Sequence, residues 1–586
     1  MKQFFKIVLA SLLALVIFSV IGMLILIGIV SSAASVDKPF IGSKAVLVLS
    51  LDRAFKEQYV ENPLNALLHE SEEDLPSLYE TICLIQHAKT DSAVKGIYIQ
   101  CAENANSLAA SEEIRLALED FKKSGKFVVA YGEVISQKGY YLGSVADAIY
   151  CHPQGGVEWS GFSSNLFFLK GMLEKLDIQP QIFYAGKFKS ATEPLREYAM
   201  TDANKLQTSV WLEEMYAHFL YTTARSRKKD SAQFRSLAVT GAIQTARDAK
   251  RYGLVDDLKY DDELKTVLLN KLNLNAKDKI NFVSLGDYKA SADYKKTGEE
   301  KIALVFEDGD IVSGEGDQEK IGSDEFKKIL RKIRLDKDVT AVVFRVNSPG
   351  GSALASDVIW REISLLRKEK PVVVSMGSYA ASGGYYISCT ADSIFADANT
   401  ITGSIGVFSV IPNMQSFFKN KLGVTFDGVK TAPYADMGDI SKPLTEKEKI
   451  FLQSSVDTIY HVFKTRVSNG RKLSMFKVDS LAQGRVWTGR HAIKNGLADR
   501  VGTLQDAINC AVKMAGIKDD NYKLREYPEK KTFIEQIMKG YKKSVSNELI
   551  DAQLGPDAVK LMKEMKEINL TKGMPQAKMP FLINIQ

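Results

Sequence analysis

The sequence predicts an α/β fold made of two tandem βαβ repeats, preceded by a single N-terminal transmembrane helix and followed by a helical C-terminal tail. Three observations carry this prediction. They are a long apolar run near the start, two sets of similar blocks in the same order, and an alternation of strand-like and helix-like segments. With 586 residues, the chain is also longer than one hydrophobic core usually serves.

The N-terminal apolar run extends from Phe5 to Val30 and contains one charge, Lys6. About 20 apolar residues cross a bilayer as a helix, and lysines before such a helix favour a cytoplasmic N-terminus and an exported remainder. The alternative is a cleaved signal peptide, because the small residues that cleavage needs follow in 31–35. The run is longer than the roughly 7–15 apolar residues of a signal peptide, so we expect an uncleaved anchor.

The second half of the chain repeats the first. Tyr140-Tyr141 and Tyr385-Tyr386 lie in matching blocks, and further blocks match upstream and downstream. Similarity of this kind at a fixed spacing indicates duplicated structural units. The matching blocks are 96–111 with 341–356, 128–150 with 372–395, and 245–257 with 488–500.

Within each repeat, buried β-branched runs such as TAVVFRVN alternate with helix-periodic stretches such as Ala355–Lys368. This alternation is typical of parallel βαβ units with helices outside the sheet. We predict four parts of the chain, with the polar stretch Asn275–Glu300 around the join between the repeats. They are a cytoplasmic N-terminus and membrane anchor at 1–35, a first repeat at 36–290, a second repeat at 291–515, and a helical tail at 516–586 that serves assembly.

The composition argues against several classes of function. The net charge is +6, but lysine and arginine are mixed with acidic residues and form no basic stripe, so nucleic acid is not an expected partner. The five cysteines are far apart without a CxxC pair, which argues against a metal or redox site. No Walker motif is present, so no cofactor is expected.

The two repeats differ at positions that carry chemistry. The second repeat has Ser382 after a strand, with Gly383 beside it and a Gly350-Gly351 turn upstream. The first repeat has lost all three, and Gln137 stands where the serine is expected. A serine at a strand-to-helix turn lies near unpaired N–H groups. The N–H of Gly383, with one from Gly350 or Gly351, is suited to an oxyanion hole for acyl transfer.

A nucleophilic serine needs a base, and several residues are candidates. His461 and His491 lie in the second repeat, each with the ordinary reading of a surface helix residue. A lysine serves if burial lowers its pKa towards neutrality. Lys189, in the first-repeat stretch IFYAGKFKSATEPL, aligns with Thr431 of the second repeat. One repeat therefore offers a lysine and the other a serine, while Lys187 and Lys430 remain alternatives.

These motifs resemble those of the signal peptide peptidase A (protease IV) family, in its long, duplicated form. The resemblance covers nearly the whole chain, including the block from Gly484 to Asp499. It implies a ClpP/crotonase-like fold in both repeats and a membrane-anchored serine protease. The one departure is Phe188, where the family pattern has tyrosine.

The resemblance also implies roles for individual residues. ASGGYY puts Ser382 in the nucleophile role, and FKSATEP puts Lys189 in the role of general base. TGSIG gives Ser404 the role of hydrogen-bonding the lysine amine. Because the serine and lysine belong to different repeats, the site is expected where the repeats meet, with an oxyanion hole formed by Gly383 and the turn Gly350-Gly351.

Substrate, assembly and location follow from the resemblance alone. It implies that the substrates are apolar signal-peptide remnants and that the chain forms a homotetramer. It also implies a bacterial inner (cytoplasmic) membrane location, with the single N-terminal helix in lipid and the catalytic body on the periplasmic side. Two other functions remain as alternatives: a crotonase-type acyl-CoA enzyme, and a catalytically idle scaffold tethered to the membrane.

Overall fold

The structure is a computed structural model that describes residues 41–58, 75–317, 320–518, 521–529 and 573–579, with scattered positions before residue 23. Most of the predicted anchor at 1–35 lies outside these residues. Among the part of the chain that the structure describes, no helix is both long enough and apolar enough to span a bilayer.

The first repeat contains strands β1–β7 and helices on both sides of them. The strands are β1 Ala45–Ser50, β2 Val94–Gln100, β3 Phe127–Ile135, β4 Ala148–Val157, β5 Gln179–Ala185, β6 Asp257–Leu258 and β7 Asn281–Ser284. The helices are Leu78–Thr90, Leu108–Lys122, Gln137–Gly143, Lys170–Lys175, Glu193–Arg196, Asp202–Ser226, Ser231–Val239, Ala246–Arg251, Asp261–Lys271 and Leu285–Ser291, with a 3₁₀ turn at Ser190–Thr192.

The second repeat and the residues after it contain strands β8–β20. These are β8 Glu300–Asp308, β9 Asp310–Val312, β10 Lys320–Gly322, β11 Val339–Ser348, β12 Gly350–Ser352, β13 Val372–Ala381, β14 Ser393–Ala396, β15 Ile401–Gly403, β16 Val407–Asn413, β17 Val486–Thr488, β18 Arg500–Val501, β19 Tyr522–Tyr527 and β20 Gln576–Lys578. The helices are Ser323–Leu335, Ala353–Leu366, Gly383–Ser388, Gln415–Phe417, Glu446–Arg471, Met475–Leu481, Gly489–Asn495 and Leu504–Met514, with a π-helical turn at Phe418–Leu422.

The two main sheets have the same topology, which confirms the internal repeat. The first runs β6-β4-β3-β2-β1-β7, and the second runs β18-β14-β13-β11-β8-β19, with β15 and β17 added beside β13. All neighbouring strands in these two six-strand orders pair in parallel. Their central strands are buried on both faces by helices, as parallel strands require. This accounts for the β-branched runs in the sequence.

Equivalent hydrogen bonds mark the two copies. The hydroxyl of Tyr140 donates to the carbonyl of Leu254, and that of Tyr385 donates to the carbonyl of Leu497, each at 2.8 Å. In the first repeat this bond joins the helix after β3 to the turn before β6. In the second repeat it joins the helix after β13 to the turn before β18. Tyr140 and Tyr385, which align in sequence, therefore make the same hydrogen bond in the two repeats.

A third sheet joins the two repeats. Its order is β10-β9-β12-β20-β16-β5, so β5 of the first repeat lies beside strands of the second. β5 pairs antiparallel with β16 along its full length, from Gln179 opposite Asn413 to Ala185 opposite Val407. This ladder fixes the position of the chain that follows Ala185, which is the segment carrying Lys189.

A buried ion triad also crosses between the repeats. The guanidinium of Arg345, on β11, donates to Glu57 at 2.8 and 3.0 Å and to Glu113 at 2.6 Å. All three side chains are almost fully buried. Because both carboxylates belong to the first repeat, this cation links the halves away from water.

The described part of the predicted helical tail forms strands. β19 extends the second main sheet beside β8, and β20 lies between β12 and β16. Residues 530–572 lie outside the described residues. The helical prediction at 516–586 thus does not hold for these two segments, because open sheet edges and the groove beside β12 offer backbone partners that the charge pattern of the tail does not reveal.

We predict that Arg345→Met lowers the free energy of unfolding by about 3–5 kcal/mol, because it leaves two buried carboxylates without their cation. Chemical denaturation followed by tryptophan fluorescence measures this change. Arg235→Met is the matched control, since Arg235 pairs with Glu213 at the surface and such pairs contribute about 1 kcal/mol or less. Equal losses in the two variants would contradict a linking role for Arg345.

Candidate active site

Ser382 stands at a sharp turn between β13 and the helix Gly383–Ser388. Its backbone has φ 56° and ψ −111°, a combination that non-glycine residues rarely adopt. Two backbone hydrogen bonds hold the turn: Ser382 N–H to the carbonyl of Gly403, and Tyr386 N–H to the carbonyl of Ser382, each 2.8 Å. The side chain is directed off the strand at a fixed position and is fully buried.

Lys189 of the first repeat contacts Ser382 of the second. Its Nζ lies 2.9 Å from Ser382 Oγ. The same nitrogen lies 3.1 Å from Ser404 Oγ and 3.2 Å from the carbonyl of Ser404. The structure therefore brings together the three side chains that the sequence selected, although they come from three separate segments.

The surroundings of Lys189 disfavour its charged form. The residue is 1% exposed, and no carboxylate among the described residues forms an ion pair with it. Removal from water, uncompensated by a negative charge, holds the pKa of Lys189 well below its usual range. A neutral amine 2.9 Å from a hydroxyl can accept its proton.

Close packing holds the backbone around Lys189. The N–H of Phe188 donates to the carbonyl of Gln483 at 2.7 Å. Gly484 has φ +73°, and a Cβ placed there would lie 2.6 Å from both N and Cβ of Lys189. The segment that contains Gly484 thus packs directly against the backbone of Lys189, and we call it the backbone cradle of the lysine. Position 484 accepts only glycine, because any side chain there would collide with Lys189.

The glycine turn lies against the start of the serine helix. Gly350 has φ +102°, and a Cβ there would lie 2.7 Å from the nitrogen of Gly383. The Gly350 N–H donates to Ser348 Oγ at 3.2 Å, whereas Gly383 N–H is in the first helical turn, where no intrahelical acceptor exists. Gly383 is therefore the best-placed oxyanion donor, and Gly350 and Gly351 (φ +157°) let the turn approach it.

A peptide segment of the chain already lies in this groove. β20 pairs antiparallel with β12, so that Gly351 is opposite Ala577. The backbone oxygen of Ala577 would be 3.1 Å from a Cβ on Gly383, and a Cβ on Gly350 would collide with the same oxygen. The groove beside the glycine turn therefore accommodates an extended backbone with its carbonyl over these glycines.

The other base candidates lie elsewhere. His461 is exposed on the helix Glu446–Arg471, and His491 Nδ1 lies 2.8 Å from Glu214. Lys187 is exposed, and Lys430 is exposed and bonded to Asp436 at 3.1 Å. In the described residues none of these four contacts Ser382.

Sequence reasoning missed Gln207, which connects the lysine segment to the second repeat. Its Nε2 donates to the carbonyl of Phe188 at 3.1 Å and to Ser190 Oγ at 3.0 Å, and its Oε1 accepts from Val486 N–H at 3.3 Å. The signal was weak, since a glutamine on a long helix is ordinary in a surface position. Across the described part of the chain, no cluster of three or more His, Cys, Asp or Glu side chains suits a metal ion.

The corresponding place in the first repeat has a structural residue. Gln137 holds the loop after β4, with its Nε2 donating to the carbonyl of Gly161 and its Oε1 accepting from Gly161 N–H, both at 2.9 Å. Its amide is thus satisfied by the backbone. The first repeat keeps the fold of the site without its nucleophile.

Comparison with known proteins identifies a family to which the chain is similar along most of its length. The model of peptidase family S49 matches the chain twice, at residues 120–275 and 364–518. Protease 4 of Haemophilus influenzae is 37% identical, with the alignment covering 85% of this chain and 83% of that protein. The chloroplastic serine protease SPPA of Arabidopsis thaliana is 32% identical over 86% of this chain and 74% of its own length. The chain is a serine protease that belongs to peptidase family S49 and carries its domain twice.

Proposed function

We propose that the chain is an endopeptidase whose catalytic dyad is Ser382 and Lys189, one residue from each repeat. The observation that carries the proposal is the 2.9 Å contact between Lys189 Nζ and Ser382 Oγ inside a fully buried pocket. Ser404 accepts a hydrogen bond from the amine and orients its lone pair towards the serine. Since the family is one of peptidases, the acyl-CoA alternative loses its basis.

The mechanism follows from these positions. Neutral Lys189 takes the proton of Ser382 while Oγ forms a bond to the peptide carbonyl carbon. The negative oxygen receives a hydrogen bond from Gly383 N–H, beside the turn Gly350-Gly351, and one such donor contributes about 3–4 kcal/mol. The lysine ammonium gives its proton to the leaving amine as the C–N bond breaks. Water, deprotonated by the same lysine, then releases the acyl group.

We infer that substrates are apolar peptides, including signal-peptide remnants. The groove supports extended peptide binding, because β20 already lies there with backbone pairing to β12. In the occupying segment Gln576, Ala577 and Met579 are buried, and Lys578 is partly exposed. A groove that encloses such side chains favours small or unbranched apolar residues.

We also propose a location and an assembly. The apolar run Phe5–Val30 would anchor the chain in the bacterial inner membrane, with its N-terminus cytoplasmic and its catalytic body outside. The site would then act near peptides left in the same bilayer. A homotetramer remains part of the proposal, and it has sequence resemblance as its support.

We predict that Ser382→Ala and Lys189→Met each abolish cleavage of an apolar fluorogenic peptide. The first removes the nucleophile, and the second removes the base while keeping similar volume. Members of a unit fail together, so the double variant should be no worse than either single one. Lys430→Met is the control and should keep wild-type kcat/KM, because its ammonium bonds to Asp436 in an exposed loop.

An active Ser382→Ala variant would contradict the proposed nucleophile and restore the scaffold alternative. An active Lys189→Met with an inactive Lys430→Met would keep the reaction class and move the base to the second repeat. Circular dichroism and thermal unfolding of each variant separate lost chemistry from lost folding.

A pH dependence follows from the lowered pKa of Lys189. Its neutral form is the base, so kcat/KM should rise with pH and level off well below the ordinary lysine pKa of about 10.4. The free energy of unfolding should also rise with pH. Between the folded and unfolded pKa values, the unfolded chain holds the proton and the folded chain does not, so the free energy of unfolding increases with pH.

The Lys189→Met variant should lack this rise in the free energy of unfolding with pH. Below the pKa that Lys189 has in the folded protein, the variant should be more stable than the wild type. Urea denaturation of both proteins from neutral to alkaline pH measures the difference. If the free energies of unfolding of the two proteins changed with pH in the same way, Lys189 would have an ordinary lysine pKa in the folded state. That result would contradict its role as a neutral base.

We predict that Gly484→Ala lowers kcat/KM by about 10²-fold, since its methyl group would displace the Lys189 backbone, and misplacement by about 1 Å can cost that much. The matched control is Gly428→Ala, where a Cβ meets nothing within 4 Å. Steady-state kinetics of the two variants test this. Equal activity in both would contradict the cradle as the element that positions the lysine.

A further inference from the structure

A small cavity lies between the two repeats, against the part of the first repeat that corresponds to the serine site of the second. Its volume is about 220 Å³, and its polar lining includes Asn106, Ser107, Lys138, Ser378 and Asn399. Sequence alignment of the repeats sets Asn106 against Gly351 and Lys138 against Gly383. The position proposed to bind an oxyanion in the second repeat is thus matched in the first repeat by residues that line a partly open cavity.

A helix N-terminus faces this cavity. The helix Leu108–Lys122 begins after its N-cap Ser107, whose Oγ accepts from Ala110 N–H at 3.1 Å and lies 2.5 Å from Ser378 Oγ. The N–H groups of Leu108 and Ala109 have no intrahelical acceptor, as in any first turn. Leu108 and Ala109 both line the cavity, so the positive end of the helix dipole is available to a ligand there.

Two further donors in the cavity have no partner among the described residues. Asn399 is 3% exposed, and its Nδ2 makes no hydrogen bond with any described residue. Half-buried Lys138 likewise has no hydrogen bond or ion pair from its Nζ within the described residues. A buried amide without an acceptor is costly, so an acceptor ligand at this point would recover a hydrogen bond that the protein cannot make by itself.

The charges around the cavity permit an anion. Glu103 interacts with Lys138 only at a distance and partly offsets the desolvation that lowers the pKa of that lysine. Asp397 lies two residues from Asn399, and burial, together with the neighbouring carboxylate of Glu112, raises the pKa of this carboxyl well above its usual range. Among the residues that line the cavity, Lys138 is the one with a charged side chain.

We propose that this cavity is a second, non-catalytic site that binds a small oxyanion of the carboxylate or phosphate type. The ligand oxygens would accept from the N–H groups of Leu108 and Ala109, from Asn399 Nδ2, and from the ammonium of Lys138. None of these four donors has an acceptor in the described part of the chain, and a set of donors of this kind suits an oxyanion and not a cation or an apolar ligand. This binding does not depend on the proposed dyad.

The site touches the strands that carry the catalytic residues. Ser378 and Tyr379 lie on β13 ahead of Ser382, and Ile401 lies on β15 ahead of Ser404. β13 and β15 pair side by side, with Tyr379 opposite Ile401 and Ala381 opposite Gly403. A ligand here would contact both strands and so can influence the serine turn.

The test is isothermal titration of the full chain with sodium phosphate, with sodium acetate, and with alanyl-alanine in free-acid and amidated forms, all at constant ionic strength set with chloride. We expect saturable binding of at least one oxyanion, and the amide should bind no better than chloride. Lys138→Met should weaken that binding by about tenfold or more, as loss of a charge-assisted contact predicts. Asn399→Leu should weaken it while leaving net charge unchanged.

Lys123→Met is the matched control, because it removes a lysine at the C-terminal end of the helix Leu108–Lys122, away from the cavity, where the side chain is 73% exposed. It should bind like the wild type. Preference for phosphate or for the free-acid peptide identifies the source of the ligand. No saturable binding by any oxyanion, or equal binding by wild type and Lys138→Met, would overturn the proposal, with thermal unfolding used to verify that each variant is folded.

Discussion

The proposed catalytic arrangement depends on one ladder of hydrogen bonds, the antiparallel pairing of β5 with β16. It is the contact by which a strand of the first repeat enters a sheet of the second. The chain turns at Gly186 directly after this ladder, and Lys189 follows within one further turn. Duplication alone would give two separate sites, whereas this pairing places one lysine beside the serine of the other copy.

Burial of Lys189 destabilises its charged form and thereby favours the neutral amine. A charged amine in the pocket would lose its hydration without gaining an anion. The folded state therefore favours the neutral amine, which is the form that a base requires. Surrounding backbone atoms, including the contact at Gly484, keep water out and limit movement of the side chain. The Arg345 triad shows the opposite solution, in which a buried cation keeps its charge because two carboxylates accompany it.

Much of the fold and the candidate site could be predicted from sequence, since both rest on local signals. Strand and helix alternation predicted the parallel sheets, and differences between the copies singled out Ser382 and Gly383. Lys189 was one of several candidate bases, and the family resemblance selected it. Long-range features escaped prediction. Gln207 and the tail strand β20 act through partners hundreds of residues away, and short polar segments carry no mark of which sheet edge they will join.

The most direct test of this account is a titration of Lys189 itself. In a chain labelled with ¹³C at lysine Cε, the Lys189 resonance is assigned by its absence from Lys189→Met and followed with pH. The account predicts a midpoint well below the ordinary lysine value, coincident with the rise in kcat/KM. A midpoint near 10.4, with activity rising at lower pH, would show that another group is the base.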